Sequence, residues 1–228
     1  MGLRLEKVVP WGRSFDEYRR MFALSDDDLD RRILDCAGGP AAFNAAMNRR
    51  GTPIVSCDPV YQFSAAEIAR RIDETYPVIV RGVAEDRDRY VWGDIHSPEH
   101  LGEVRLAAMQ QFLADFEQGL RERRYIAAEL PNLPFNPGQF DLALCSHFLF
   151  SYSVPLSWDF HRAAIAQLCE IAREVRLFPL LDNHSGQTSI HLDPAIAYLQ
   201  DGGYHVEICP VNYQFQQGGD RMLRITHP

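Results

Sequence analysis

The chain has 228 residues, of which 46% are hydrophobic, so it can bury one sizeable core and we expect a single domain over residues 1–228. The net charge of −8 and the shortness of every basic run argue against nucleic acid as a partner. No stretch approaches the ~18 consecutive apolar residues of a membrane span, and the N-terminal residues lack the apolar run of a signal peptide. The composition therefore predicts a cytoplasmic protein that makes no membrane contact.

The five cysteines are scattered, odd in number and without C-x-x-C spacing. This usage argues against a disulfide framework and against a structural zinc site, so we expect buried, reduced thiols. His96 and His100 lie far from any other cluster of histidines or cysteines. We predict that the protein holds no metal.

Two serine–glutamate pairs predict the starts of helices. Ser14 precedes Glu17, and Ser64 precedes Glu67, by the three positions at which each side chain can cap the other residue's backbone N–H. The first pair starts a helix of the N-terminal segment, residues 1–30, and the second starts a helix that we expect Pro77 to end or kink. Further helical patterns cover residues 98–124, 157–173 and 193–203.

Seven short apolar runs bounded by turn residues predict strands. In chain order they are "RILDCA", "PIVSCD", "YIAAEL", "FDLALCSHFLF", "EVRLFPLL", "YHVEICPV" and "RMLRITH". Because strands alternate with helices, the sequence predicts an α/β fold with a doubly wound, mostly parallel seven-stranded sheet. The last two strands have no helix between them, so they should form a C-terminal antiparallel hairpin.

Two segments lie outside this alternation. A helical insertion at about 77–124 should begin at the end of the sheet far from the ligand, and we expect it to pack against the domain or a second subunit, giving a possible homodimer. The N-terminal segment is the better candidate for a lid over the ligand. Its aromatic residues, which could equally serve simple packing, are Trp11, Phe15, Tyr18 and Phe22.

Acidic residues end the first three predicted strands. Asp35, Asp58 and Glu129 each occupy the carboxyl end of a strand, where an open parallel sheet binds its ligand. The chain lacks the G-x-G-x-x-G that a dinucleotide needs. Pro40 stands where the next helix should begin, and Asp35 would repel a pyrophosphate. The pattern therefore favours a phosphate-free ligand with cationic groups.

The stretch "ILDCAGGPAAF" resembles the first motif of class I S-adenosylmethionine-dependent methyltransferases, apolar-Leu-Asp-x-Gly-x-Gly-Pro-Gly. Asp35 aligns with the acid, Ala37, Gly39 and Ala41 with the three glycines, and Pro40 with the proline. Two of the three glycines are thus replaced by alanine. The segments "IVSCDP", "AAELPNLPF", "FDLALCSHFLF" and "EVRLFPLLD" resemble the family's later motifs in the same order, so the likeness covers residues 31–75 and 125–228.

The resemblance implies S-adenosylmethionine as cofactor. In the family, the acid after the second strand binds both ribose hydroxyls and the acid after the third strand accepts from the adenine amino group; these positions are Asp58 and Glu129. The implied cofactor site comprises Asp35, Ala37, Gly38, Gly39, Asp58, Pro59, Glu129, Leu130 and Ser146. Taken alone, Asp58 could be only a helix cap, and the two glycines could serve only the turn.

Residues after the fourth and fifth strands are candidates for contact with a methyl acceptor. His147 and Tyr152 are the expected catalytic residues, with Asp182 and His184 as further candidates, although a local backbone hydrogen bond is an equally good explanation of His147. "CSHF" departs from the Asn/Asp-Pro-Pro-aromatic segment of enzymes that methylate adenine or glutamine nitrogens. We therefore predict a small-molecule acceptor.

Two other functions remain open on the sequence. The alanine-substituted motif permits a protein of the same fold that binds the cofactor without catalytic turnover. A nicotinamide-dependent oxidoreductase is the second alternative, and the missing G-x-G-x-x-G makes it the weaker one.

Overall fold

The computed structural model describes residues 10–227, so the first nine residues of the predicted N-terminal segment lie outside the described part. Seven strands form one sheet: β1 Ile33–Cys36, β2 Val55–Cys57, β3 Tyr125–Ile126, β4 Phe140–Ser146, β5 Ala172–Phe178, β6 His205–Pro210 and β7 Arg221–Thr226. The helices are α1 Phe15–Met21, α2 Asp26–Leu29, α3 Phe43–Arg49, α4 Ala65–Glu85, α5 Pro98–Arg121, α6 Trp158–Ile171 and α7 Leu192–Asp201. Three single-turn 3-10 helices cover Pro59–Gln62, Arg87–Arg89 and Phe150–Tyr152.

The strand order is β3-β2-β1-β4-β5-β7-β6, with β1 to β5 parallel to one another and β7 antiparallel to both of its neighbours. This arrangement confirms the predicted doubly wound sheet and its C-terminal antiparallel hairpin. The order reverses between β1 and β4, so the crevice for a ligand lies beyond the carboxyl ends of these strands.

Helices cover both faces of the sheet. Along β4, Leu142 and Leu144 pack in a cluster with side chains of α1 and α3, whereas Ala143 and Cys145 pack in a cluster with α6 and α7. The alternation follows from the two-residue period of a strand. Because both faces are buried, the central strands read as continuous apolar runs.

The two capping boxes form as predicted. Ser14 and Glu17 cap α1, and Ser64 and Glu67 cap α4, with both reciprocal bonds present in each case. Pro77, however, does not end α4, which continues to Glu85. The helix passes through the proline because its buried face continues beyond it, and that burial offsets the lost hydrogen bond.

The prediction for the insertion is also wrong in part. The helices α4 and α5 pack against each other and α5 packs on α3, as expected of an addition to the domain. Side chains from the same segment nevertheless line the large cavity beyond the sheet, among them Ile79, Val83 and Tyr90. Arg71, near the start of α4, lines the same space, so the helix runs along the cavity instead of away from it.

Candidate functional site

A cavity of about 970 Å³ opens beyond the carboxyl ends of the parallel strands. This volume is at the upper end of the range for ligand pockets, and it leaves room for two small molecules side by side. Its lining includes all but one of the predicted site residues: Ala37, Gly38, Gly39, Asp58, Pro59, Glu129, Leu130, Ser146, His147 and Tyr152. The predicted cofactor and acceptor residues therefore come together in one space.

The turn from β1 to α3 forms one wall of this cavity. Ala37 and Gly39 have left-handed φ angles of 55° and 53°, so the chain reverses sharply directly after the strand. Alanine adopts this conformation at a cost that glycine avoids. The helix α3 begins only at Phe43, so Pro40 lies inside the turn and not at the helix start, which corrects the sequence prediction.

Asp35 is the predicted site residue that does not line the cavity. Its buried carboxylate accepts hydrogen bonds from the hydroxyls of Tyr18, at 2.9 Å, and Ser56, at 3.0 Å. A Cβ atom on Gly38 would come within 2.2 Å of Asp35 Oδ2, so the carboxylate lies directly beneath the turn. The expectation that Asp35 presents charge to the ligand is not met, since its side chain supports the glycine turn from below.

Asp58 links the turn to the second strand. Its Oδ2 accepts from the backbone N–H of Gly39 at 2.9 Å, and its Oδ1 accepts from the N–H of Val60 at 2.8 Å. The second bond caps a 3-10 helix, so the helix-cap explanation is correct but incomplete. Burial raises the pKa of Asp58 to about 6 against these two bonds, and the carboxylate is therefore mostly charged at neutral pH.

Glu129 reaches the cavity from a loop. The strand β3 ends at Ile126, so Glu129 lies three residues beyond it instead of at its carboxyl end. Glu129 forms an isolated antiparallel bridge with Asn132 outside the sheet. Glu129 and Leu130 still line the cavity, as the sequence predicted.

His147 follows the last residue of β4 and has a left-handed φ of 52°. Its backbone N–H donates to the carbonyl of Phe178 at 2.6 Å, and its ring Nδ1 lies 2.8 Å from Ser146 Oγ. Burial, together with the positive charges of Arg13 and Arg105, holds the pKa of His147 well below its usual value. The imidazole is therefore neutral at physiological pH, and the same burial and charges make it a weaker base than a free histidine.

The N-terminal segment closes the cavity on another side. Tyr18 and Phe22 are buried in the core against α3, while Trp11 and Tyr18 line the cavity. The segment thus combines the two roles that the sequence left open, packing and covering. Arg13 also lines the cavity, although no motif in the sequence had marked it.

No protein-family model matches the sequence. An uncharacterized protein of Methanocaldococcus jannaschii, MJ0045, is 31% identical over 226 residues, and the match covers 98% of both chains. The chain belongs to the family of this archaeal protein.

Solved structures of methyltransferases are similar to the chain at lower sequence identity. Magnesium protoporphyrin IX methyltransferase from Synechocystis PCC 6803, with bound SAM, is 14% identical, with a TM-score of 0.46 and coverage of 94% of this chain and 91% of the other. A SAM-dependent methyltransferase from Aquifex aeolicus is 10% identical, with a TM-score of 0.40 and coverage of 86% and 80%. The strand order β3-β2-β1-β4-β5-β7-β6 is that of a doubly wound α/β sheet with a C-terminal antiparallel pair.

Within residues 10–227, no helix is long and apolar enough to cross a membrane, and no group of three His, Cys, Asp or Glu side chains could hold a metal ion. The five cysteines are free thiols, and four of them are buried. The expected cytoplasmic location, the expected absence of a metal and the possible homodimer stay predictions.

Proposed function

We propose that the protein transfers a methyl group from S-adenosylmethionine to a small-molecule acceptor. The observation that carries the proposal is the bond between the Asp58 carboxylate and the Gly39 amide, because it joins a glycine turn after β1 to an acid after β2 at the edge of one cavity. A carboxylate at this place has lone pairs left for two hydroxyl groups. The turn and the acid together fit a nucleoside ligand.

The cofactor residues are assigned by their places along this edge. The turn at Gly38 and Gly39 lines the cavity where the amino-acid part of the cofactor would lie, and Asp58 would bind the ribose hydroxyls. Glu129 would accept from the adenine amino group, with Pro59 and Leu130 against the adenine ring. When bound, S-adenosylmethionine supplies a methyl group already activated by the sulfonium charge.

The chain's own contribution to the reaction is position and proton transfer. The walls of the cavity hold the acceptor in line, which by itself lowers the barrier to a displacement. His147 is neutral, and in the tautomer in which its Nδ1–H donates to Ser146 Oγ, Nε2 is the atom that would take a proton from an acceptor hydroxyl. Tyr152 lines the same cavity and would contact the acceptor.

A dinucleotide fits this cavity less well. The N-terminus of a helix usually offers free amides to a pyrophosphate. Here the N–H of Ala42, at the start of α3, donates to the carbonyl of Arg13 at 2.9 Å, so that amide is already used. This contact favours the methyltransferase over the oxidoreductase.

Calorimetric titration separates the candidate functions. S-adenosylmethionine and S-adenosylhomocysteine should bind to the wild-type protein, and NADH should not. Incubation with S-adenosylmethionine and pools of small hydroxylated acceptors, followed by mass spectrometry, should show products heavier by one methylene group. Binding of NADH alone would overturn the proposal, whereas tight cofactor binding without any product would favour the silent binding protein.

Two variants test the assigned roles. Asp58→Ala should weaken S-adenosylhomocysteine binding by about 1.5–3 kcal/mol, because it removes a charged acceptor of hydrogen bonds. His147→Gln should leave that affinity unchanged and lower the rate of methyl transfer by about 10²- to 10⁴-fold if the acceptor is a hydroxyl. Asp159→Ala, an exposed position on α6, is the control and should change neither quantity. Wild-type affinity in Asp58→Ala would remove Asp58 from the site.

A further inference from the structure

Arg13 lies where the N-terminal segment crosses the β1–α3 turn. A Cβ atom on the preceding residue, Gly12, would come within 2.0 Å of the Pro40 carbonyl oxygen, so the N-terminal segment and the turn are in contact there. The carbonyl of Arg13 accepts from the N–H of Ala42, which fixes the segment to the start of α3. The Arg13 side chain lines the cavity from this place.

The guanidinium of Arg13 has no ion-pair partner among the described residues. Its Nη1 donates to the carbonyl of Trp11 at 2.6 Å, and its Nε is buried without a hydrogen-bond partner. Burial and the nearby charge of Arg105 lower the pKa of Arg13 to about 10, so it is still protonated at neutral pH. Arg13 is half-buried, and a cation that has lost part of its hydration and has so few partners is rare unless a ligand completes its hydrogen bonds.

The neighbouring carboxylate, that of Glu17, is paired with another arginine. Both oxygens of Glu17 accept from Arg105 Nη1, at 2.5 and 2.6 Å, and Oε1 also accepts from the Tyr213 hydroxyl at 3.0 Å. Arg13 and Arg105 therefore face a single carboxylate, and this buried cluster carries one excess positive charge. The charge reaches the cavity beside His147, whose pKa both arginines lower.

A second residue of the cavity lining also has a polar atom without a hydrogen-bond partner. Ser151 is 2% exposed, and its hydroxyl is among the four buried side-chain atoms that have no partner within residues 10–227. Two of those four atoms, Arg13 Nε and Ser151 Oγ, belong to residues that line the cavity. Each of these two lining residues thus keeps one polar atom that the described residues cover but do not hydrogen-bond.

We infer that Arg13 binds a carboxylate group of a ligand inside the cavity. A singly charged anion matches the single excess positive charge, while the acidic residues Asp58, Glu129 and Asp182 elsewhere in the lining disfavour a multiply charged phosphate. The planar guanidinium suits a carboxylate because it can donate two parallel hydrogen bonds. The carboxylate belongs either to the amino-acid part of the cofactor or to the acceptor, and the first of these sources rests on the proposed function.

Binding measurements with Arg13→Met distinguish the two sources. The probes are S-adenosylhomocysteine, which has a carboxylate, 5′-methylthioadenosine, which has none, and benzoate in the presence of S-adenosylhomocysteine. If the carboxylate is the cofactor's, the variant binds S-adenosylhomocysteine at least tenfold more weakly and 5′-methylthioadenosine as the wild type does. If it is the acceptor's, both nucleosides bind normally and benzoate binding is lost.

Controls separate a binding role from a structural one. Arg13→Met should unfold at the same temperature as the wild type or a higher one, because it removes an unpaired cation, and Arg13→Lys should retain part of the carboxylate binding. Arg19→Met, which removes an arginine of the same segment that pairs with Asp26, should leave all three affinities unchanged.

Two results would overturn the inference: wild-type affinity of Arg13→Met for all three probes, or an equal loss for all three together with a lower unfolding temperature. A wild-type protein that binds neither nucleoside but binds benzoate through Arg13 would refute the proposed cofactor alone.

Discussion

Two carboxylates, the buried Asp35 and the half-buried Asp58, stand at the ends of adjacent strands and have different surroundings. Asp58 lines the cavity and bonds to backbone amides, whereas Asp35 lies beneath the turn and bonds to hydroxyls. Burial raises the pKa of Asp35 to about 7, since the bonds from Tyr18 and Ser56 only partly compensate the lost hydration. Asp35 supports the β1–α3 turn from below, whereas Asp58 borders the cavity and joins the turn to the second strand.

The raised pKa of Asp35 predicts a specific dependence of stability on pH. The folded protein keeps this proton up to about pH 7, while the unfolded chain releases it near its ordinary pKa of about 4. Ionisation therefore favours the unfolded chain increasingly between pH 4 and 7, and the full cost persists above pH 7. Asp35→Asn keeps an oxygen for Tyr18 and removes the titration. The stability of the variant relative to the wild type should therefore rise across this range, by on the order of 4 kcal/mol at pH 8.

Urea denaturation of both proteins at several pH values measures this difference. The two should be closest at pH 4, because Asp35 is then neutral in the folded protein and only about half ionised in the unfolded chain, and the other titrating groups are shared. A gap that stays constant from pH 4 to 8 would contradict the raised pKa.

At the scale of an element, the β1–α3 turn depends on the absence of a side chain at Gly38. A Cβ there would lie 2.2 Å from Asp35 Oδ2, which is far inside van der Waals contact. Gly38→Ala should therefore displace either the carboxylate or the turn, lower the unfolding temperature, and weaken S-adenosylhomocysteine binding at least tenfold. Gly93→Ala is the matched control, because nothing lies within 4 Å of the Cβ that it adds. Equal effects of the two substitutions on ligand binding would contradict this explanation.

The sequence predicted this turn but not what lies beneath it. The strand, the two glycines and the following helix are local features, so their pattern was sufficient to place the turn. The pairing of β4 with β1 joins distant parts of the chain and was not predicted. The contact of Asp35 with Tyr18 joins positions 17 residues apart, and no local pattern records it. Likewise, no local pattern marks Arg13, which reaches the cavity only because its segment crosses the turn at Pro40.

Helix ends show the same limit. The starts of α1 and α4 followed from capping boxes, which are local. The end of α4 did not follow from Pro77, because tertiary packing of Ile79 and Val83 decides how far the helix continues. That continuation is also why the insertion reaches the cavity, against the sequence prediction.

At the scale of the whole molecule, three distant parts of the chain meet at one buried ion pair. Glu17 comes from α1, Arg105 from α5, and Tyr213 from the connection between β6 and β7. Burial raises the pKa of Glu17, but Arg105 outweighs it and lowers the pKa to about 2, so the carboxylate is charged throughout the physiological range. The pair ties the N-terminal segment and the insertion to the body that carries the cavity.

A double-mutant cycle on this pair should show strong coupling. Arg105→Met leaves the Glu17 carboxylate buried without a cation in ion-pair contact, and Glu17→Met leaves Arg105 buried beside the unpaired Arg13, so each should lower the free energy of unfolding by about 3–5 kcal/mol. The double variant removes both charges and should be more stable than either single variant, as measured by urea denaturation. The exposed pair Asp159–Arg162 on α6 is the control cycle and should show no measurable coupling. Additive losses at Glu17 and Arg105 would mean that the two side chains stabilise the fold independently and that the pair does not join the three segments.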